Sequence, residues 1–261
     1  MVTRRRIPAQ PPGALTPETR EEVVRGRKIL VQPALDPHAD RHCELDYVIR
    51  GHVTPEYVAS TDLLTRPDKG SDFATDTCVR RAGKNPSTKT RYLEELSFEV
   101  VNEQTLAEVK EKAEELIKRG VRRVFAIFVK SRQVEEWDPE KNDFIRLAPQ
   151  SSISDRCLVR PIPVAALLNA AEADNSVVRA LDEKKNPAIL AIRAESKTEG
   201  KIEGKIEGKI EGILAILAAR GLPLDEGTRA RITSCSDAAL LDGWLVRAVS
   251  APSANDVVNS T

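Results

Sequence analysis

Three carboxylates stand where a sheet would bury them. Asp72 and Asp76 lie four residues apart in Ser71 to Val79, a run that reads as a strand, so both project from one face. Glu99 is the one charge inside Leu96-Ser97-Phe98-Glu99-Val100-Val101, a second and largely apolar strand. An ionised carboxylate in such a strand is costly unless it is paired or metal-bound. Two or three that converge supply the oxygen donors that a hard divalent cation, Mg²⁺ or Mn²⁺, takes, with water completing its shell. Such an ion polarises a phosphate and activates a water. The same spacing also fits an arrangement in which Glu99 faces outward at a strand end and Asp72 closes a turn.

The surrounding elements must decide between the two. Thr16-Pro17-Glu18 has the signature of a helix start and predicts a short helix to about Arg25, and a second helix is expected over Asp40 to Ile49, ending near Gly51. Val58 to Leu64 reads as a strand, Arg66 to Gly70 as a turn, and Ser71 to Val79 as the returning strand of a hairpin. Gly83 to Thr90 reads as a loop, and Leu96 to Val101 as a central strand. Leu106, Val109, Ala113, Leu116 and Ile117 form one apolar stripe of a helix that Gly120 closes. Val121 to Val129 is the next strand, followed by an edge hairpin of Gln133 to Trp137 with Asp143 to Leu147. The order is helix, three strands, helix, strand, hairpin, which is an α/β domain.

Residues 1–15, with Thr3-Arg4-Arg5-Arg6 and three prolines, read as a disordered arm, and 16–150 as the domain. An alanine-rich helical extension spans 151–196, and 197–212 repeats KTEG-KIEG-KIEG-KIEG. Wound as a helix, that repeat sets a Lys row opposite a Glu row and an Ile row opposite a Gly row, with no Glu–Lys pair at i,i+3 or i,i+4. It is either a flexible linker or a helix held by self-association, a coiled coil that makes a homo-oligomer through the tail. Residues 213–261 read as a small helical tail.

Forty basic residues against forty acidic ones leave no whole-molecule field to attract nucleic acid, so any DNA contact needs a local patch. Arg80, Arg81, Lys84, Lys89 and Arg91 supply one, unless that loop is simply a solvated flap. Cys43, Cys78, Cys157 and Cys235 form no CxxC pair, which argues against a zinc knuckle and a disulfide framework. His38 and His42 are spaced i,i+4 and could bind a metal, but without a third ligand at a recognisable spacing they read as a surface pair. GxxxxGK[ST] and GxSxG are absent, which removes the common nucleotide-hydrolase and serine-hydrolase readings. No apolar run approaches the roughly 20 residues of a membrane span, so the expectation is a cytoplasmic protein with no membrane partner.

Ser71-Asp72, the 27 residues to Glu99-Val100-Val101, Thr105, a helix carrying Lys110 and Lys112, and the strand start Gly120-Val121 together resemble the Uma-type restriction endonuclease-like family of the PD-(D/E)XK nuclease superfamily, over roughly residues 20 to 150. The resemblance implies a mixed sheet flanked by helices in the order α-β-β-β-α-β, followed here by the helical tail. It implies metal-dependent phosphodiester hydrolysis, with Asp72 and Glu99 as ligands, the Val100 carbonyl completing the shell, and a lysine near the attacking water. Ser71 stands where the family has proline, and Val101 where it has lysine. The family often moves that lysine to the following helix, where Lys112 lies on the side of Thr105 and Lys110 on the other flank of the stripe. Asp76 and Glu44 are further candidate carboxylates. The segment from about Ala180 to Ala248 resembles the tail of the Rpn or PD-(D/E)XK transposase-like proteins. Two functions follow: a Mg²⁺-dependent DNA endonuclease, or a catalytically inactive fold of this type that serves as a binding or assembly module through its repeat tail.

Overall fold

The computed structural model describes residues 20–31, 36–68 and 70–259. Its first described element corrects the expectation of a helix over 16–25. Arg20–Val24 (β1) and Arg27–Val31 (β2) are antiparallel strands, while 16–19 and the arm 1–15 lie outside the described residues. Arg25 and Gly26 turn between them with φ of 52° and 74°, and two successive left-handed residues match the right-handed twist of a tight hairpin. The β-branched Val23, Val24, Ile29 and Val31 that flank Arg25-Gly26 favour strand, and this outweighs the helix-start signal upstream.

Asp36–His52 (α1) begins before the expected Asp40, and its inward face carries Leu45, Val48 and Ile49. Tyr57–Asp68 (β3) and Ser71–Arg81 (β4) form the long hairpin, Glu94–Val101 (β5) follows, and Leu106–Arg119 (α2) crosses over to Arg123–Phe128 (β6). Thr105 and Glu108 close a capping box at the start of α2, and Gly120, at φ 106°, ends it. Gln133–Asp138 (β7) and Asp143–Arg146 (β8) complete the sheet as its edge hairpin. The strands run β2-β1-β4-β5-β6-β7-β8, with β3 also paired to β4. Among the described strands only β5 and β6 run parallel, as the helical crossover requires, so the sheet is mixed and the class is α/β.

Alternation along β5 and β6 sorts the core. Phe98, Val100, Phe125 and Ile127 pack with Leu45 and Ile49 of α1. Val101, Val124 and Ala126 pack with Val109, Ala113 and Leu116 of α2. Glu99 shares the parity of Val101 and therefore faces the α2 side.

The first compact unit runs to Asn186 and not to 150. Ser152–Ile153 (β9), Ile162–Pro163 (β10), a short 3₁₀ turn at Val164–Leu167 and Ala170–Glu183 (α3) join the α1-side core through Ile153, Cys157, Ile162, Leu167 and Val177. The second unit, Pro187–Thr261, contains Pro187–Ala219 (α4), Glu226–Thr233 (α5), Ala238–Ser250 (α6) and Ala254–Asn259 (α7). Its core is built on Ile213, Leu217, Ile232, Leu241, Trp244 and Val257. The KxEG repeat lies inside the continuous helix α4, so the structure selects the helical reading over the linker. Among the described residues no helix is long and apolar enough to cross a membrane.

Candidate metal centre

Strand β4 is paired differently along its two halves. Its C-terminal half pairs with β5 as far as Thr77↔Phe98, while its N-terminal half pairs with β1 at Val23↔Asp72. The ladder to β3 also skips one position between Thr61↔Thr77 and Leu63↔Thr75, at Asp62, whose φ is 47°. Asp76 sits in that fork. Its Oδ2 accepts the Val100 backbone N–H at 2.7 Å, bridging the point where β4 and β5 part.

Three further side chains converge there from separate elements. Glu99 comes from β5 and is only 5% exposed. Lys112 reaches in from α2, its Nζ 2.8 Å from Glu22 Oε2 and 5.3 Å from the centre of the Phe73 ring. Glu22, 3% exposed on β1, also accepts the Ala74 N–H at 3.0 Å through its Oε1. The helix supplies the ammonium, and the three strands supply three carboxylates.

Burial pushes Glu99 well above the usual carboxylate range; Asp76 and Glu22 add to this, and Lys112 opposes it. Burial also raises Asp76, against the Val100 N–H, His38, His42 and Lys112. Burial alone would lower Lys112, but Glu99 and Glu22 outweigh it, so the ammonium is held protonated. Three carboxylates against one ammonium leave a net deficit of two positive charges when all are ionised. Glu99 Oε1 is buried with no hydrogen-bond partner among the described residues. A buried carboxylate oxygen left so, beside a second carboxylate, fits a hard divalent cation, which takes oxygen donors and offsets the negative excess.

Neither a family model nor a curated protein matches this chain. A solved structure to which it is similar is described as "a putative nuclease belonging to DUF820" from Anabaena variabilis ATCC 29413. The two are 15% identical with a TM-score of 0.49, over 57% of this chain and 89% of that one. A likeness of that size carries no argument about activity, and the functional reading rests on the site itself.

The residues expected from the sequence are distributed unevenly around this centre. Asp72 pairs with Val23, four residues up the strand from Asp76, about 13 Å away at ordinary strand rise. The carboxylate that the fork sets beside Val100 and Glu99 is therefore Asp76, which accepts the Val100 N–H where the β4–β5 ladder ends, whereas Asp72 lies beyond that ladder, opposite β1. Lys112 faces Glu99, whereas Lys110 is turned to the other flank of α2, 2.7 Å from Asp143 Oδ1 on β8. Glu44 pairs with Arg41 on its own helix. Arg80 and Arg81 end β4, and Arg91 is tied to buried Glu94 at 2.8 Å and to the Leu64 carbonyl at 3.0 Å. Lys84 and Lys89 lie exposed on the intervening loop.

Two parts of the centre were not read from the sequence. Glu22 falls in the stretch whose upstream Thr16-Pro17-Glu18 predicts a helix, and the signal for a strand there is the β-branched content around the Arg25-Gly26 turn. His38 and His42 do have a third ligand within reach, Asp76, which is distant in sequence and near only because the fork faces the start of α1.

Proposed function

We propose that this protein is a metal-dependent endonuclease that hydrolyses DNA phosphodiester bonds, in the manner of the Uma-type family it resembles. The observation that carries the reading is the buried Glu99 carboxylate, with one oxygen unpartnered, beside Asp76 and within the field of a buried Lys112. Asp76 and Glu99 would hold Mg²⁺ or Mn²⁺, with the Val100 carbonyl as the third protein ligand that the resemblance implies and Asp72 remote from the pair. The ion, when bound, supplies a polarised phosphate and a more acidic water. Lys112 stabilises the negative charge that develops on the attacked phosphate. Glu22 is a positioning residue: one oxygen is anchored on the Ala74 N–H and the other on the Lys112 ammonium. Asp76, through the Val100 N–H, holds the β5 backbone next to the ligands in place. Lys84 and Lys89 meet the DNA backbone at a distance from the reaction, with Arg80, Arg81 and Arg91 behind them.

The test is nicking of supercoiled plasmid in Mg²⁺ and in Mn²⁺ by the wild-type protein, Glu99→Gln, Asp76→Asn and Lys112→Met. Loss of nicking in all three variants, with each still folded, supports the reading. Wild-type protein that neither binds Mn²⁺ calorimetrically nor nicks DNA overturns it. That outcome would leave the assembly module, which the exposed Leu190, Ile192 and Ile202 along α4 favour.

A further inference from the structure

Two histidines lie on the inward face of α1, one helical turn apart. His38 and His42 continue toward the helix start the stripe that Leu45, Ile49 and His52 bury farther along, and their side chains are only 16% and 14% exposed. His52 shows what a structural histidine looks like in this fold. Its Nδ1 meets the Val48 carbonyl at 2.7 Å, its Nε2 meets Ser176 Oγ at 2.9 Å, and burial lowers its pKa, so it is a neutral core residue. The other two are arranged differently. His38 Nε2 stands 4.0 Å from Asp76 Oδ2, beyond hydrogen-bond reach, and His42 Nε2 is 2.8 Å from the Asp76 carbonyl oxygen and 3.8 Å from Asp46 Oδ2. Asp46 is itself held by the Thr77 hydroxyl at 2.6 Å.

One ligand atom each from His38, His42 and Asp76 lie within 4.8 Å of one another. Ligands about 2.1 Å from a tetrahedral ion are about 3.4 Å apart, so small side-chain rotations close the set. Two imidazoles at i,i+4 on a helix with a carboxylate from a facing strand form a mixed nitrogen and oxygen donor set. Mg²⁺ takes oxygen and gains little from imidazole, whereas Co²⁺, Zn²⁺ and, more weakly, Mn²⁺ accept it.

We infer that His38, His42 and Asp76 bind a transition-metal ion, and that this protein prefers such an ion to Mg²⁺. The inference rests on the reading of Asp76 as a metal ligand in the proposed centre, and it adds the α1 histidines and the class of metal. Asp46, oriented by Thr77, faces His42 and favours the binding of a cation there.

The experiment is titration of the full-length protein with CoCl₂, followed by visible absorption and by calorimetry, in the absence and presence of a large excess of Mg²⁺. Wild-type protein should develop the intensified absorption of nitrogen-ligated Co²⁺ and keep it against Mg²⁺. His38→Gln and His42→Gln should each bind at least about tenfold more weakly, while Glu99→Gln should retain histidine-dependent binding. His38→Gln carries the test should His42→Gln not fold, because His38 makes no hydrogen bond to Asp76 that the substitution would break. Unchanged Co²⁺ affinity in His38→Gln, or displacement of Co²⁺ by comparable Mg²⁺, overturns the inference. Plasmid nicking on the same samples separates it from the hydrolase reading. Histidine-dependent Co²⁺ binding without nicking in any metal supports this site and refutes the nuclease, whereas Mg²⁺-driven nicking with histidine-independent Co²⁺ binding does the reverse.

Discussion

Glu99→Gln should stabilise the metal-free protein and destabilise the metal-loaded one relative to wild type. Without metal, ionised Glu99 is buried with one oxygen unpartnered and with Asp76 and Glu22 as like charges, so the fold holds a carboxylate it cannot fully satisfy. A buried group in that condition costs about 1–3 kcal/mol, and the neutral amide removes the charged part of it, on the order of 2 kcal/mol. For a unit of this size that is a rise in melting temperature of about 4–8 °C. The sign follows from the proton balance. Glu99 is raised above its unfolded value, so the folded state holds the proton longer, and stability is lost as pH rises from about 4.3 through the folded value. The advantage of the variant should therefore be absent below about pH 4 and grow as pH rises above it. With Mn²⁺ at a hundredfold its dissociation constant, wild type should gain about 2.7 kcal/mol that the variant largely forgoes, so the order of the two proteins inverts. Scanning calorimetry at pH 8, in EDTA and in Mn²⁺, reads both. A variant less stable than wild type in EDTA at pH 8 would refute the reasoning, because Glu99 would then be a satisfied structural charge.

Other substitutions test the frame around the centre. Lys112→Met leaves Glu22, Asp76 and Glu99 without their ammonium and should cost about 3–5 kcal/mol by denaturant unfolding at pH 8, with a smaller loss at pH 4, where Asp76 and Glu99, both raised by burial, take up protons. Asp155 is drawn well below the usual carboxylate range: burial opposes this, but the hydrogen bonds from Arg122, the Cys157 N–H and Arg123 outweigh it. Asp155→Asn should therefore cost about 2 kcal/mol at pH 7, discounted for the part-exposed arginines, and the difference should shrink progressively as the pH falls below the unfolded value of about 3.9 toward the lower folded one. Gly51→Ala would set a Cβ 2.9 Å from Val177 Cγ2 where α1 meets α3 and should lower the melting temperature. Gly204→Ala, with nothing within 4 Å, should stabilise α4 by about 1 kcal/mol, visible in the helical circular dichroism melt.

The sheet was legible in the sequence because its pattern is local. The β3–β4 hairpin is legible from its two strand-like runs, although β3 continues through the expected turn residues Arg66-Pro67-Asp68; β5 is announced by its apolar run, and α2 by the stripe that ends at Gly120. What failed was long-range. Strand periodicity puts Asp72 and Asp76 on one face alike, and only the exchange of β1 for β5 along β4 distinguishes them. A helix start at Asp40 leaves His38 outside the helical face that, in the structure, carries it with His42 toward Asp76. A domain boundary at Pro149 followed a shift in composition, yet Ile153, Ile162 and Val177 bury against the same core as α1. Composition marks where a chain changes character, whereas burial marks where a unit ends.

Under the proposed nuclease reading, Val101 occupies the position at which the resemblance implies a lysine, and Lys112 would serve in its place. Val101 has the parity of Glu99, so a lysine there would project to the α2 side, into the region that Lys112 enters from the opposite wall. Lys112 brings its ammonium from α2 to that side of the sheet, and Val101 packs with Val109 and Ala113. The exchange should be partly reversible. Lys112→Met is expected to reduce nicking by about 10²–10³, the usual loss when one charge-stabilising group is removed. Val101→Lys added to it should recover at least a tenth of the wild-type rate, because Glu22 and Glu99 then have an ammonium beside them again, carried by β5 instead of α2. A folded double variant with intact Mn²⁺ affinity and no recovery would show that the ammonium acts through its direction of approach from α2, and not through its presence beside the carboxylates.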